Sequence, residues 1–417
     1  MPLVAATTSV FTATELASLQ SDLDAYLALY APLFQRSEQV ASARRYLQGL
    51  LCDEPRKSVE RMVLKLWGAD GNLVRSLQQF MGESPWSDSP LLARHWQEVG
   101  QTLGEEEGVL IVDGSDFRKQ GQESVGVARQ WCGELGKKAN CQAGVFVAYA
   151  GSQAATLVHR ALYLPKPWAE EPDWAGRRQR CRVPEAVSFQ TKPQLALNLL
   201  RELVASESLP ARWVTCDEAY GQDPAFLDGV AELGLGYCAE VPHSTRVWTE
   251  RPATAVPPAP AHGRPPTRVR LATGAPRSQE VRAVAAQQPE SAWQRLTLLQ
   301  GSHGPLQAEF CVLRVFASRQ KLPGPAVWLL LRRHPRTHKL KTYLCDAPAE
   351  MARPDLAHLA GCRWPIETCF QEGKQNLGLG DYEGRSWAGW HRHMTLCMLA
   401  HFFLVRQHRG LKKKPRP

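Results

Sequence analysis

The sequence predicts an α/β chain that opens with a helical region, and three observations carry that expectation. Apolar residues recur with a 3.6-residue period through residues 13 to 105. At Gly108 the texture changes to short apolar runs closed by turn residues, and a second group of such runs precedes two late helical stretches. With 417 residues the chain is long enough to bury a sizeable core in roughly two or three structural units.

In chain order, TATELASLQSDLDAYLALYAPLF, SEQVASARRYLQGLLC and KSVERMVLKLWG each show helical spacing. Arg44, Arg45, Arg56, Lys57 and Arg61 make part of this region basic, which suits either DNA phosphates or a solvated face. GVLIVDGSDF is then an apolar run ending in turn chemistry, and CQAGVFVAYAG and ATLVHRALYLP follow as strands. KPQLALNLLRELVAS reads as an amphipathic helix and ARWVTCDEAYG as a fourth strand, so the order is β-β-β-α-β. Both strand-ending acids, Asp113 and Asp217, sit where apolar runs stop.

Between the first two strands lies a long, glycine-punctuated loop carrying Arg118, Lys119, Arg129, Lys137 and Lys138. A loop on this scale points to function, and Lys119, Arg129, Lys137 and Lys138 are its expected DNA grips. Further on, the seven prolines of RPATAVPPAPAHGRPPTRVRLATGAPR (residues 251–277) forbid a regular element and mark a loop. LQAEFCVLRVFAS, AVWLLLRRHP and KTYLCDAP are the second group of strands. A last helix from Ser386 carries Trp387, Trp390, Met394, Met398 and Phe402 inward, with His391, His393 and His401 as structural neighbours.

Lys and Arg number 50 against 41 Asp and Glu, a net +9 that favours a polyanionic partner. Arg406, Arg409, Lys412, Lys413, Lys414 and Arg416 make the C-terminus a basic tail. Eleven cysteines without a CxxC pair argue against a zinc site and against a disulfide framework. The N-terminus lacks a leader pattern and no window approaches a membrane span, so a cytoplasmic protein at the bacterial nucleoid is expected.

The stretch RWPIETCFQEGKQNLGLG carries the late chemistry. Pro365 suits a first helical turn and Gly378 to Gly380 a stop, while Ile366, Phe370, Gly373 and Leu377 form an apolar stripe. Glu367 and Lys374 return to nearly the same azimuth, with Arg363 one turn upstream, so three charges share a face. If Asp113, Asp217 and Glu367 converge, their mutual repulsion is relieved by two divalent cations, and oxygen ligands select Mg²⁺ with Mn²⁺ able to substitute. Arg363 and Lys374 would then hold phosphates of the bound strand. Asp116, Glu218 and Glu372 are the nearest competing acids.

VDGSDFRKQGQESVGVARQWCGELGKKANCQAGV, VTCDEAYG, GPLQAEFCVLRV, VWLLLRR and RWPIETCFQEGKQNLGLGDYEGRSWAGWHRHMTL together resemble the DDE-class bacterial insertion-sequence transposases, in the branch with a Tyr-Arg-Glu-Lys signature. The resemblance implies an RNase H-like mixed-sheet catalytic core, a β-rich insertion and an N-terminal helical domain. It matches Asp113, Asp217 and Glu367 to the three metal-binding acids, and Arg363 and Lys374 to the signature cations. The signature Tyr falls on Ala360, and Gly114 stands where many relatives carry a second acid or Thr. The implied units are 1–105 (DNA-binding helices), 106–238 (first part of the core), 239–348 (insertion), 349–410 (closing helices) and 411–417 (tail).

The implied chemistry is cut-and-paste transposition with two Mg²⁺ ions on double-stranded DNA, both terminal inverted repeats and target, by a homodimer that pairs two ends. An aromatic of the insertion that stacks on a flipped base would be Trp248, Trp293 or Trp328. The rival expectations are a domesticated DNA-binding relative without cleavage and a stand-alone Mg²⁺-dependent nuclease.

Overall fold

Val109 to Val112 are apolar on both sides of the backbone, and a strand of that kind is stable only where both sheet faces are covered. In the computed structural model, which describes residues 13–258, 264–301 and 304–413, this run lies mid-sheet with all four side chains buried.

Five helices come first: α1 (Ala13–Ala28), α2 (Ser37–Leu51), α3 (Val59–Trp67), α4 (Gly71–Gly82) and α5 (Ser89–Leu103). Strands β1 (Val109–Arg118), β2 (Ala128–Cys132), β3 (Lys137–Ala150) and β4 (Ala155–Tyr163) follow, then short helices α6 (Lys166–Glu170) and α7 (Ala175–Arg180). Helix α8 (Lys192–Ala205) leads to β5 (Trp213–Cys216), α9 (Glu218–Gly221), α10 (Pro224–Glu232), β6 (Gly236–Glu240) and β7 (Arg246–Trp248). Next come β8 (Thr254–Ala255), β9 (Arg270–Leu271), β10 (Gln279–Glu280), α11 (Val281–Ala286), β11 (Gln294–Gly301), β12 (Gly304–Arg319), β13 (Leu322–Arg333) and β14 (Leu340–Asp346). The chain closes with α12 (Arg353–Gly361), α13 (Pro365–Asn376) and α14 (Trp387–Lys413).

β3 pairs antiparallel with both β1 and β4, while β1 pairs parallel with β5 and β5 parallel with β6. The spatial order β4-β3-β1-β5-β6 is an RNase H-like mixed sheet, the architecture the resemblance implies. β6 then pairs antiparallel with β14, and the ladder runs on through β13, β12, β7 and β10. The β-rich insertion is therefore a lateral extension of the core sheet, continuous across the expected boundary at residues 238/239.

Two sequence expectations change. The long loop after β1 contains β2, because the 14-residue β3 outruns its other partners and offers its first residues as a pairing edge. The proline-rich stretch holds a small ladder, β8 with β9, flanking residues 259–263, which lie outside the described residues. Lys414 and Arg416 of the basic tail and residues 1–12 also lie outside them. Among the described residues no helix is long and apolar enough to cross a membrane. All eleven cysteines are free, and all but Cys52 are buried.

The N-terminal helices pack on α14 and share its core. Tyr26 donates its hydroxyl to the Leu399 carbonyl at 2.9 Å, and Tyr46 meets His393 Nδ1 at 2.8 Å. Trp390, Met394, Met398 and Phe402 point inward as the helical spacing predicts. His391 and His393 are structural: burial pushes both down to about 4, and each bonds a backbone carbonyl, Trp387 and Gly378 respectively. His401 is buried too, between Thr156 and Glu372.

Candidate active site

The strand register sets the first two acids side by side. β1 and β5 are paired up to Val112 opposite Cys216, so Asp113 and Asp217 are the next residues on adjacent parallel strands. Asp217 is also the N-cap of α9, its carboxylate accepting from the Ala219 amide at 3.0 Å. Asp113 accepts from the Gly114 amide at 2.7 Å.

Glu367 arrives from the far end of the sequence. Phe146 on β3 lies directly opposite Asp113, so the two side chains emerge on one sheet face. Helix α13 lays Ile366, Cys369, Phe370 and Gly373 on that face, and the Phe370 ring meets Phe146 edge-on at 5.4 Å. This seats the first turn of α13, with Glu367, over the strand ends. Gly378, in the left-handed region at φ +64°, ends the segment as expected.

Arg363 ties the pieces together. Its Nη1 donates to Asp113 Oδ2 at 2.7 Å and its Nη2 to Glu367 Oε1 at 2.9 Å. Asp113, Asp217, Glu367, Arg363 and Lys374 all line one cavity of about 700 Å³, together with Glu218, Glu240, Lys339 and Lys341. Lys374 donates from Nζ to the Asp116 carbonyl at 3.1 Å and lies over the Phe117 ring.

The electrostatics of the cavity are short of positive charge. Burial, reinforced by the neighbouring Asp217, pushes the Asp113 carboxyl up to about 7 despite Arg363. Asp217 is raised as well, first by burial. The Tyr220 hydroxyl is buried among Asp113, Asp217 and Asp116 with no hydrogen-bond partner. Among the described residues no three His, Cys, Asp or Glu side chains stand close enough to grasp one ion as they are. A guanidinium occupies the space between Asp113 and Glu367. The donor chemistry of the three acids, carboxylate oxygen throughout, fits a hard divalent cation, and so does the deficit of positive charge.

Of the loop cations, Arg129, Lys137 and Lys138 are exposed on the β2–β3 hairpin. Lys119 is turned away: its amino group bonds the Tyr382 carbonyl, and burial lowers it to about 8. Trp248 is buried and donates to the Pro276 carbonyl, while Trp293 and Trp328 carry the guanidinium groups of Arg333 and Arg314. Asp116 accepts from the Gly133 amide at 2.6 Å, holding the hairpin, and Glu372 pairs with His401 away from the cavity.

Glu240 escaped the sequence reading. It follows Ala239, the register partner of Cys216, so it continues the row Asp113–Asp217 onto a third strand. It is held by Lys341 through both carboxylate oxygens at 2.8 Å. Its signal was the one Asp113 and Asp217 give, an acid closing the short apolar run GYCAE. Lys192, 4.0 Å from Asp116 Oδ1, had no such signal.

Gly221 sets the approach of α9 to β6. A Cβ there would stand 2.0 Å from the Glu240 carbonyl oxygen. Gly221→Ala is therefore expected to cost on the order of 2 kcal/mol, read by urea unfolding, by pushing α9 and the Asp217 it caps away from the sheet. An unchanged unfolding midpoint would show that the contact is slack.

A 222-residue stretch of the chain is 25% identical to the "Probable transposase for insertion sequence element IS701" of Microchaete diplosiphon, covering 52% of this chain and 53% of that protein. The chain thus spans about half the length of that relative. A family model described as DDE superfamily endonuclease matches residues 29–305, a span that includes Asp113 and Asp217 and ends before Glu367. The match covers more than half of the chain and, with the mixed sheet, makes this chain a member of the DDE superfamily endonucleases.

Proposed function

We propose that this protein is a DNA transposase that cleaves at the ends of its element and transfers the freed 3′ ends into target DNA. The observation that carries the reading is the meeting of Asp113 and Glu367 on one guanidinium, with Asp217 beside Asp113 in register. Asp113, Asp217 and Glu367 would hold Mg²⁺, with Mn²⁺ as a substitute, and a pair of such ions supplies Lewis-acid stabilisation of the attacking and leaving oxygens. Arg363 and Lys374, at the cavity wall, would hold phosphates of the strand, with Arg129, Lys137 and Lys138 gripping DNA outside it. The helical region ahead of β1 would contribute further DNA contacts, and two copies would pair two ends. The transposase relative and the net charge of +9 support the choice of DNA as substrate.

The test is cleavage of a labelled repeat-end duplex with Mg²⁺ or Ca²⁺, comparing the parent with Asp113→Ala, Asp217→Ala and Glu367→Ala. Each variant is expected to bind the duplex and to lose cleavage by about three orders of magnitude or more. A parent that binds but does not cut with Mg²⁺ would instead indicate DNA binding without catalysis.

A further inference from the structure

We infer that the outer face of the β2–β3 hairpin is a stacking platform for an unpaired base of the DNA strand led to the carboxylate cavity, with Trp131 as its floor. The inference rests on the proposed DNA substrate and extends it to one named contact. Tryptophan is costly to leave in water, yet Trp131 is 60% exposed. Among the described residues the other exposed tryptophans are Trp67, at the end of α3, and Trp364, which lines a separate groove with Glu105, Met351 and Val405. Trp364 is next in the chain to Arg363 but lines that separate groove, whereas Trp131 lies on the hairpin whose Gly133 and Glu134, two and three residues on, form part of the carboxylate cavity's wall.

The charges around the ring suit a phosphodiester chain. Lys138 is the direct cross-strand partner of Trp131, and Arg129, two residues earlier on the same strand, shares its face. Both are exposed, and neither takes part in an ion pair among the described residues. Glu134, the nearest acid of the hairpin, is taken up by Arg118 at 2.9 Å. What remains is a flat aromatic surface between two free cations, the combination that holds single strands through base stacking and phosphate contact with little sequence preference.

The hairpin is also fixed in place. The Gly133 amide donates to Asp116 Oδ2 at 2.6 Å, and Asp116 belongs to β1, the strand that carries Asp113. A base on Trp131 would therefore be held in register with the cavity. A second copy of the chain is the other occupant to weigh; the two unpaired cations beside the ring favour the polyanion.

The test uses the full chain with Ca²⁺ and two short DNA probes, a blunt duplex and the same duplex with a single-stranded overhang containing 2-aminopurine. The parent is expected to prefer the overhang probe and to quench its fluorescence. Trp131→Ala is expected to bind the overhang about tenfold more weakly, to lose the quench and to keep its affinity for the blunt duplex, with Trp131→Phe retaining most of both. Equal overhang binding and quenching by the parent and Trp131→Ala would overturn the inference while leaving the proposed function standing. So would a Trp131→Ala variant whose only change is weaker self-association in sedimentation. A parent that binds neither probe would remove the proposed function itself.

Discussion

Asp113→Asn is expected to leave the metal-free protein more stable than its parent at pH 8, by an amount that shrinks as the pH falls and vanishes near pH 4. Burial and Asp217 push the Asp113 carboxyl from its ordinary 3.8 up to about 7, so between those values the folded state holds a proton that the unfolded state has released. Stability must then fall as pH rises through that window, at up to ~1.4 kcal/mol per pH unit, and the full penalty is present above pH 7. Asparagine carries no charge to desolvate, and its side-chain oxygen still accepts from Arg363. The difference between the two proteins should reach on the order of a few kcal/mol at pH 8.

The comparison must be made as a difference. His95, His391 and His393, each lowered to about 4 by burial, pull the other way, because their neutral forms favour the fold above about pH 6.5 and that support is lost on acidification. They are common to both proteins and cancel. Excess Mg²⁺ should raise the parent's melting temperature at pH 8 and do much less for Asp113→Asn. A difference independent of pH would mean that Asp113 is not held in a charge-poor cavity, and an equal response to Mg²⁺ would remove it from the metal ligands.

Arg392→Met is expected to cost on the order of 4 kcal/mol and to loosen the N-terminal helices from α14. The Arg392 guanidinium is buried beneath the α4–α5 connection. There it donates to the carbonyls of Met81 at 3.1 Å, Ser84 at 2.7 Å and Trp86 at 2.5 Å, and lies 4.7 Å from the Trp86 ring. Methionine fills much of the space and satisfies none of those acceptors. Lysine restores the charge without the planar fork, so Arg392→Lys should recover only part of the loss. Urea unfolding measures the cost, and limited proteolysis should find the first cuts before residue 105. The consequence reaches the cavity through Trp390, whose ring lies 6.3 Å from Phe146, the residue opposite Asp113.

Whether an element was legible depended on how local its cause was. β1 and β5 carry buried apolar runs closed by an acid, α13 has a proline start, an apolar stripe and a glycine stop, and α14 has a regular inward row, so each can be read from its own residues. The bridge from Arg363 to Glu367 spans one helical turn and was foreseeable as a shared face. β2 was not legible, since its five residues, of which only Cys132 is buried, become a strand only because β3 extends far enough to pair with them. Glu240 gave the same local signal as the two recognised aspartates, but its place beside them depends on β6 pairing with β5.

By itself the sequence determined the main core strands and the long helices, and which carboxylates stand where apolar runs stop, because hydrophobic periodicity and turn chemistry act over a few neighbouring residues. The tertiary structure alone decided which charges remain available. It joined Arg363 to Asp113 across 250 positions, folded Lys119 against Tyr382 and left Trp131 exposed beside the cavity. Burial and ion pairing depend on what distant segments bring alongside, and that information belongs to the packed chain and not to any stretch of it.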